Sequence, residues 1–412
     1  MNKSPRLVAL ETLYSIFYDG SYSNIALDKA LSDIKENKAF ISALVYGVTE
    51  RKITLDYFID KYAQGRIKPK VRIVLWLGAY QLLFMDKVPS SASINESVKL
   101  VKEIKQDYYS KLVNAVLHKI DNDRQIPDDL SVKYSVPENL INMWKKQYGE
   151  DVLNEFLPCI NDKPPLFAIP NKKFVNSDEL LYELECDGIL GEAYDEFVLI
   201  ENANDLTDSK AFKNGLFYIE DLSSFNCANA LDALGDDLVL DMCSAPGGKA
   251  FTISQSMNNS GKIYCYDLHE HRLNLIKNSA KRLSIDNIYT DVNDATVYNE
   301  NIPKADKILC DVPCSGFGII RRKPEIRYKD LDSVKDLPQI QYKILETSSR
   351  YLKDGGRIIY STCTLNKKEN ENVVNKFLKD HSGYKLLKEK TVFPSTVGGD
   401  GFYYAIMVKN EN

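Results

Sequence analysis

Leu238-Val239-Leu240-Asp241-Met242-Cys243-Ser244-Ala245-Pro246-Gly247-Gly248-Lys249 is the stretch that decides how this chain folds. An apolar run ends in an acid, a glycine pair follows, and residues 249–257 take up helical spacing: strand, tight turn, helix. Two adjacent glycines let the backbone pass close to a ligand, and the helix start offers unpaired N–H groups and the positive end of a dipole. Working outward, short β-type runs recur at 262–266, 307–310 and 357–360, separated by helical stretches at 271–283 and 337–352. Strands alternating with helices imply right-handed crossovers and a parallel, doubly wound α/β sheet. Residues 391–393 and 402–408 read as a closing antiparallel pair.

Upstream the periodicity changes. In the first 120 residues Leu7, Leu10, Leu13, Tyr14 and Phe17 recur at helical spacing, as do Leu44, Val45, Val48, Leu55, Phe58 and Ile59. About six helices are expected. From 122 to about 216 prolines interrupt the pattern, one helix spans 138–156, and a short mixed segment lies at 180–188. The expected division is therefore a helical domain over 1–125, a connector with a small α/β subdomain over 126–215, and a catalytic domain over 216–412.

Charge is uneven along the chain. The net charge is -5, yet residues 1–120 carry 18 Lys and Arg against 12 Asp and Glu. Any polyanion partner is to be sought on this end, where Arg51, Lys52, Arg66, Lys68, Lys70 and Arg72 bunch. Eight cysteines with no CxxC, and no signal peptide in residues 1–5, read as reduced thiols of a cytoplasmic protein. Four histidines without zinc spacing argue against a metal site, and no apolar run is long enough to cross a membrane. A monomer is expected.

The chemistry gathers at strand ends, where open α/β sheets bind their ligands. Asp267 ends the second strand about 20 residues after the glycine turn, where an acid can accept both ribose hydroxyls of a nucleoside cofactor. Asp294, after the third strand, is placed to reach the adenine edge. The turn lacks both GxGxxG and GxxxxGK[ST], so S-adenosylmethionine fits better than a dinucleotide or a nucleoside triphosphate.

Cys314, in Asp311-Val312-Pro313-Cys314, and Cys363, in Ser361-Thr362-Cys363, end two further strands. A lone cysteine is most often a small buried hydrophobe. Two at matching strand ends beside a cofactor turn point instead to paired sulfur chemistry. Thiolate addition at C6 of cytosine turns the ring into an enamine nucleophilic at C5, with Asp311 available to hydrogen-bond N3 and the exocyclic amine. Cys243 reads as cofactor wall, and Cys227, Cys265 and Cys310 as core. Residues 319–329, with Arg321, Arg322, Lys323, Arg327 and Lys329, suit a phosphate backbone, with Tyr328 or Phe317 for stacking.

These motifs, with residues 320–326, 360–363 and Glu369-Asn370-Glu371, resemble the Sun-type RNA cytosine-C5 methyltransferases. The first third resembles NusB-like helical domains through Tyr46-Gly47-Val48, residues 78–83, 94–98 and 112–117. Together they resemble the bacterial small-subunit ribosomal RNA branch of that family. The resemblance implies a Rossmann-like class I methyltransferase fold behind an all-α NusB-like RNA-binding domain. Its cofactor loop falls on Cys243, Ser244, Ala245, Pro246, Gly247, Gly248 and Lys249, and its cofactor-contacting acids on Asp267, Asp294 and Asp311. It makes Cys363 the nucleophile and associates Cys314 with product release, a choice the residues alone leave open. The implied substrate is an unpaired or flipped-out cytosine of ribosomal RNA. Transfer RNA by the same chemistry, or a non-catalytic RNA-binding antitermination factor, are the rivals. The family's Arg-x-Asn appears here as Ile169-Pro170-Asn171, and its Gln-Asp as Glu220-Asp221.

Overall fold

The computed structural model describes residues 3–202, 206–394 and 398–411. Its contacts divide the chain into two compact units: Met1–Asp162 with Ile320–Leu331, and Lys163–Ile319 with Asp332–Asn412. Of the connector expected over 126–215, residues 126–162 lie in the first unit and residues 163–215 in the second.

The first unit is built on α1 (Pro5–Tyr18), α2 (Ser23–Leu31), α3 (Lys38–Tyr62), α4 (Pro69–Phe84), α5 (Ser90–Glu103) and α6 (Ser110–Asn122). Residues 73–77 of α4 are all at most 2% exposed, so this helix, apolar on every side, is the one the others surround. Beyond them come α7 (Leu130–Tyr134), α8 (Glu138–Tyr148) and α9 (Glu150–Phe156). The single helix expected over 138–156 is broken at Gly149, whose φ is +89°.

Within residues 320–331, read from the sequence as an RNA-facing basic loop, Arg322, Lys323 and Lys329 are half-exposed but Arg321 and Arg327 are buried. Arg327 is 1% exposed, and its guanidinium donates to the carbonyls of Glu50 (2.9 Å), Ser135 (3.1 Å) and Pro324 (3.1 Å) and to Asn161 Oδ1 (2.9 Å). The Tyr328 hydroxyl donates to Thr49 O at 2.7 Å, and Ser23 donates twice to the Glu325 carboxylate. The strip thus donates to carbonyls of α3 and of the turn that follows α7. Tyr328 is half-buried with its hydroxyl occupied, and Phe317, in the second unit, is 1% exposed core. The basic bunch is partly internal too: Lys52 pairs with Asp56, and Arg72 with Asp56 and Asp60.

The second unit opens with a small antiparallel sheet of order β2-β3-β1-β4, from β1 (Leu166–Pro170), β2 (Gly191–Ala193), β3 (Val198–Ile200) and β4 (Phe217–Ile219). It carries α10 (Ser177–Cys186) and α11 (Lys210–Lys213). Asn171 is buried here and donates to the carbonyls of Gly215 (2.9 Å) and Leu283 (2.7 Å), which makes it a structural tie.

After α12 (Leu222–Asn229) the large sheet begins: β5 (Leu238–Asp241), α13 (Gly248–Ser256), β6 (Lys262–Asp267), α14 (Glu270–Arg282), β7 (Ile288–Val292), β8 (Ala305–Asp311), α15 (Leu337–Ser349), β9 (Leu352–Thr362), α16 (Glu371–Asp380), β10 (Tyr384–Val392) and β11 (Phe402–Lys409). Its order is β10-β11-β9-β8-β5-β6-β7, parallel except where β11 meets β9 and β10. This is the expected Rossmann-like, doubly wound sheet. It puts the ends of β5, β8 and β9 side by side, with two apolar clusters packed on its faces.

Candidate functional site

The quoted turn does what its residues suggest. Gly247 sits at φ +108°, which a side chain would resist, and Gly248 starts α13. The Ser244 N–H donates to Tyr266 O at 2.8 Å, stitching the turn to β6. Arg272, on the first turn of α14, reaches back: it pairs with Asp267 Oδ2 at 3.0 Å and donates to Ala245 O at 2.7 Å. Sequence reasoning missed Arg272, whose only signal is its place five residues after the strand-end acid. Asp267 is 4% exposed and also accepts from the His269 N–H at 3.1 Å. A carboxylate has about four acceptor positions, so capacity remains for a ligand's hydroxyls. Asp294 lies just past β7, where Asn293 N donates to Asp267 O at 3.1 Å, and its own carboxylate is taken up by Thr296.

A cavity of about 370 Å³ opens against the turn, walled by Cys243 to Pro246, Gly248 and Lys249 together with Asp241, Asp311, Glu220 and Tyr218. Asp267, Asp294 and both thiols lie outside that wall. Asp241, 1% exposed, has the Ser244 hydroxyl and the Cys243 N–H near it but no well-aligned hydrogen bond to either carboxylate oxygen, and burial pushes its pKa up to about 7. S-adenosylmethionine carries an ammonium and a sulfonium, and an orphaned buried carboxylate in the wall is what such a cation would satisfy. The donor set therefore fits that cofactor. Asp241 stood in the quoted stretch, but nothing in the sequence says which strand-end acid goes unpaired. Glu220 is likewise buried, accepts from Thr252 Oγ1 at 2.6 Å, and is pushed up to about 7 by burial. Asp221 caps α12, accepting from the Ser223 and Asp400 N–H groups at 2.8 Å each.

At the end of β8, Asp311 is held on both sides. Lys249 Nζ lies 2.8 Å from Oδ2, and Ser361 Oγ donates to Oδ1 at 2.8 Å. Beyond it the two sequence-predicted thiols meet: Cys314 Sγ and Cys363 Sγ are 3.3 Å apart, both half-buried. The hydrogen bond to Cys363, then burial, raises the Cys314 thiol well above its ordinary range. Cys227 and Cys310 are fully buried, and burial pushes each up to about 12, in keeping with core sulfurs.

A buried acid sets the two cysteine loops against each other. Glu369, 0% exposed, accepts from the Ser315 N–H (2.9 Å), Ser315 Oγ (2.6 Å), Gln341 Nε2 (3.0 Å) and Asn366 Nδ2 (2.8 Å). Gln341 also donates to Pro313 O at 3.0 Å. Gly318 N donates to Cys363 O at 3.0 Å, and a Cβ at Gly318 would stand 1.9 Å from Gly401 O. The Pro-Cys and Thr-Cys loops are thus fixed to one carboxylate and to each other's backbone.

Among the described residues no cluster of three or more metal-ligating side chains occurs, and no helix is long and apolar enough to cross a membrane.

Comparison with known proteins agrees with this arrangement. Residues 228–408 match the family described as 16S rRNA methyltransferase RsmB/F, and residues 3–122 match the NusB family. The chain is 33% identical to the probable ribosomal RNA small subunit methyltransferase B of Bacillus subtilis (strain 168), over 98% of this chain and 99% of that protein. The crystal structure of PH0851 superposes with a TM-score of 0.83 at 27% identity, covering 99% of this chain and 100% of that one. A methyltransferase homologue from Pyrococcus horikoshii gives a TM-score of 0.60 at 26% identity, over 68% of this chain and 98% of its own.

Proposed function

Because the chain belongs to the RsmB/F family of 16S rRNA methyltransferases, we propose that it methylates carbon 5 of a cytosine in small-subunit ribosomal RNA, in the cytoplasm, through a transient bond between cysteine and base. S-adenosylmethionine, when bound, supplies an electrophilic methyl group. The residues of the turn and Asp241, Asp267, Asp294 and Asp311 are the ones to hold it.

The observation that carries the reading is the thiol pair, 3.3 Å apart, beside Asp311 and its Lys249 partner. The Cys363 sulfur bonds to C6 as its proton passes to the ring at N3, breaking the C5–C6 double bond and leaving C5 electron-rich. Asp311 hydrogen-bonds the N3 and amine edge as the ring takes up a proton. Lys249, at 2.8 Å, keeps that carboxylate in place. Once C5 is methylated its proton must leave and the C6–S bond must break, which restores the aromatic ring. Cys314, touching the departing sulfur, is placed to assist that release.

The test uses tritiated cofactor, RNA and denaturing gels. Cys363→Ala is expected to abolish methyl transfer, by at least ~10³-fold, and to form no covalent complex. Cys314→Ala is expected to leave protein trapped on RNA. A trapped complex with Cys363→Ala instead would reverse the two roles. Bisulfite sequencing of total RNA with and without the protein separates ribosomal from transfer RNA substrates.

A further inference from the structure

Arg327 and Phe317 are buried, so neither is available to the RNA beyond its reacting base. Between the first turns of α15 and α16 lies a second cavity of about 500 Å³, to which Lys335, Lys368 and Lys376 converge from three chain segments. No carboxylate lines it. Lys376 Nζ rests 3.3 Å from the centre of the Tyr342 ring and 3.3 Å from Asp380 Oδ2, which also accepts from the Tyr342 hydroxyl at 2.8 Å.

The groove opens at the reactive end of the sheet. β8 and β9 are parallel, so α15 between them runs the opposite way, and its first turn shares the end at which β9 delivers Cys363. Gln341 binds Pro313 O beside Cys314, and its neighbour Tyr342 lines the groove. Lys368 directly precedes Glu369, which holds the Cys314 loop through Ser315. The groove thus adjoins the elements that carry and brace the two thiol loops.

We infer that this groove is an RNA-backbone subsite, taking phosphates of the single-stranded segment that flanks the target base. The inference rests on the reading of the chain as an RNA methyltransferase and adds where its substrate lies. Three ammonium groups, one of them paired with Asp380 at the groove's edge and with no acid among the described lining residues, match a run of phosphates.

Equilibrium binding of a fluorescein-labelled single-stranded RNA to the full-length protein, across a salt series and without cofactor, tests it. For single strands each phosphate contact contributes about 0.7 to the slope of log K against log salt. Lys335→Ala/Lys368→Ala/Lys376→Ala should lower the slope by about 2. A fourfold rise in salt then weakens the variant roughly 20-fold less than the parent. KM for RNA should rise with kcat and cofactor affinity held. The triple glutamine variant serves if the alanine one melts early. Lys385→Ala/Lys388→Ala/Lys390→Ala, on β10, removes the same charge elsewhere and should leave the slope near the parent's.

An unchanged slope in the groove variant, or an equal drop in the β10 control, overturns the proposal. So does a loss confined to assembled subunits with naked RNA bound normally, which would mark the groove as a face for an acidic protein. Binding is read without chemistry, so a lowered slope without any 5-methylcytosine would leave the subsite standing and remove only the cytosine-C5 reading.

Discussion

Asp241 and Glu220 are acids that burial drives to about 7, so the folded chain keeps their protons at pH values where an unfolded chain has released them. The stability they contribute is full below about pH 4 and is lost as pH rises through about 7. Asp241→Asn with Glu220→Gln should therefore flatten the fall in melting temperature between about pH 5 and 8. A parallel fall in the double variant would show that neither acid is responsible. A cation bound against Asp241 favours its ionised form, so calorimetry should find cofactor affinity rising with pH through about 7. Asp241→Asn should remove that rise and cost about tenfold in affinity. At this scale the sequence was legible wherever function meant a place on the scaffold. The glycine turn, Cys314, Cys363 and Asp311 were read from their positions after strands. Asp241 and Arg272 were not, because an unpaired carboxylate and a bridging guanidinium are known only once their neighbours are in place.

Among the elements, the two cysteine loops are rigid because Glu369 reaches both. Glu369→Gln keeps the volume but turns an amide donor toward groups that are themselves donors. The expected result is a loss of about 2–4 kcal/mol in chemical denaturation and a fall in kcat larger than any change in KM for RNA. Diamide oxidation offers a readout independent of turnover. The contacting thiols of the parent should close a disulfide, seen by mass spectrometry, at least several-fold faster than in the variant. Equal rates would mean the spacing does not depend on this acid. The resemblance included Glu369-Asn370-Glu371 without giving it work, since a motif does not say which side chain turns inward. Periodicity found the buried strands and most helices within a few residues. It gave no separate run for β7, whose Tyr289, Asp291 and Val292 face solvent at the sheet edge, and it joined α8 to α9 across Gly149.

For the whole chain, the lesson concerns residues 320–331. Their charge density pointed outward, and the carbonyls that capture Arg327 come from positions up to 277 residues away, which no local pattern reveals. Arg327→Ala is expected to destabilise the helical unit by about 3 kcal/mol or more, because a void and several orphaned carbonyls remain. Hydrogen exchange should then quicken around Glu50 and Ser135, with new protease cuts within 320–331. Protection equal to the parent's at those sites would show the guanidinium is dispensable.

That same strip has a bearing on how the protein is made. A ribosome releases the helical residues up to 162 long before it has polymerised 320–331. At about 5–20 residues per second the gap is on the order of 10–30 s. Through that interval the nascent bundle carries an unfilled socket. A translation stall or truncation before residue 331 would leave it open, so incomplete chains carry a ready-made mark by which quality control can tell them from finished ones.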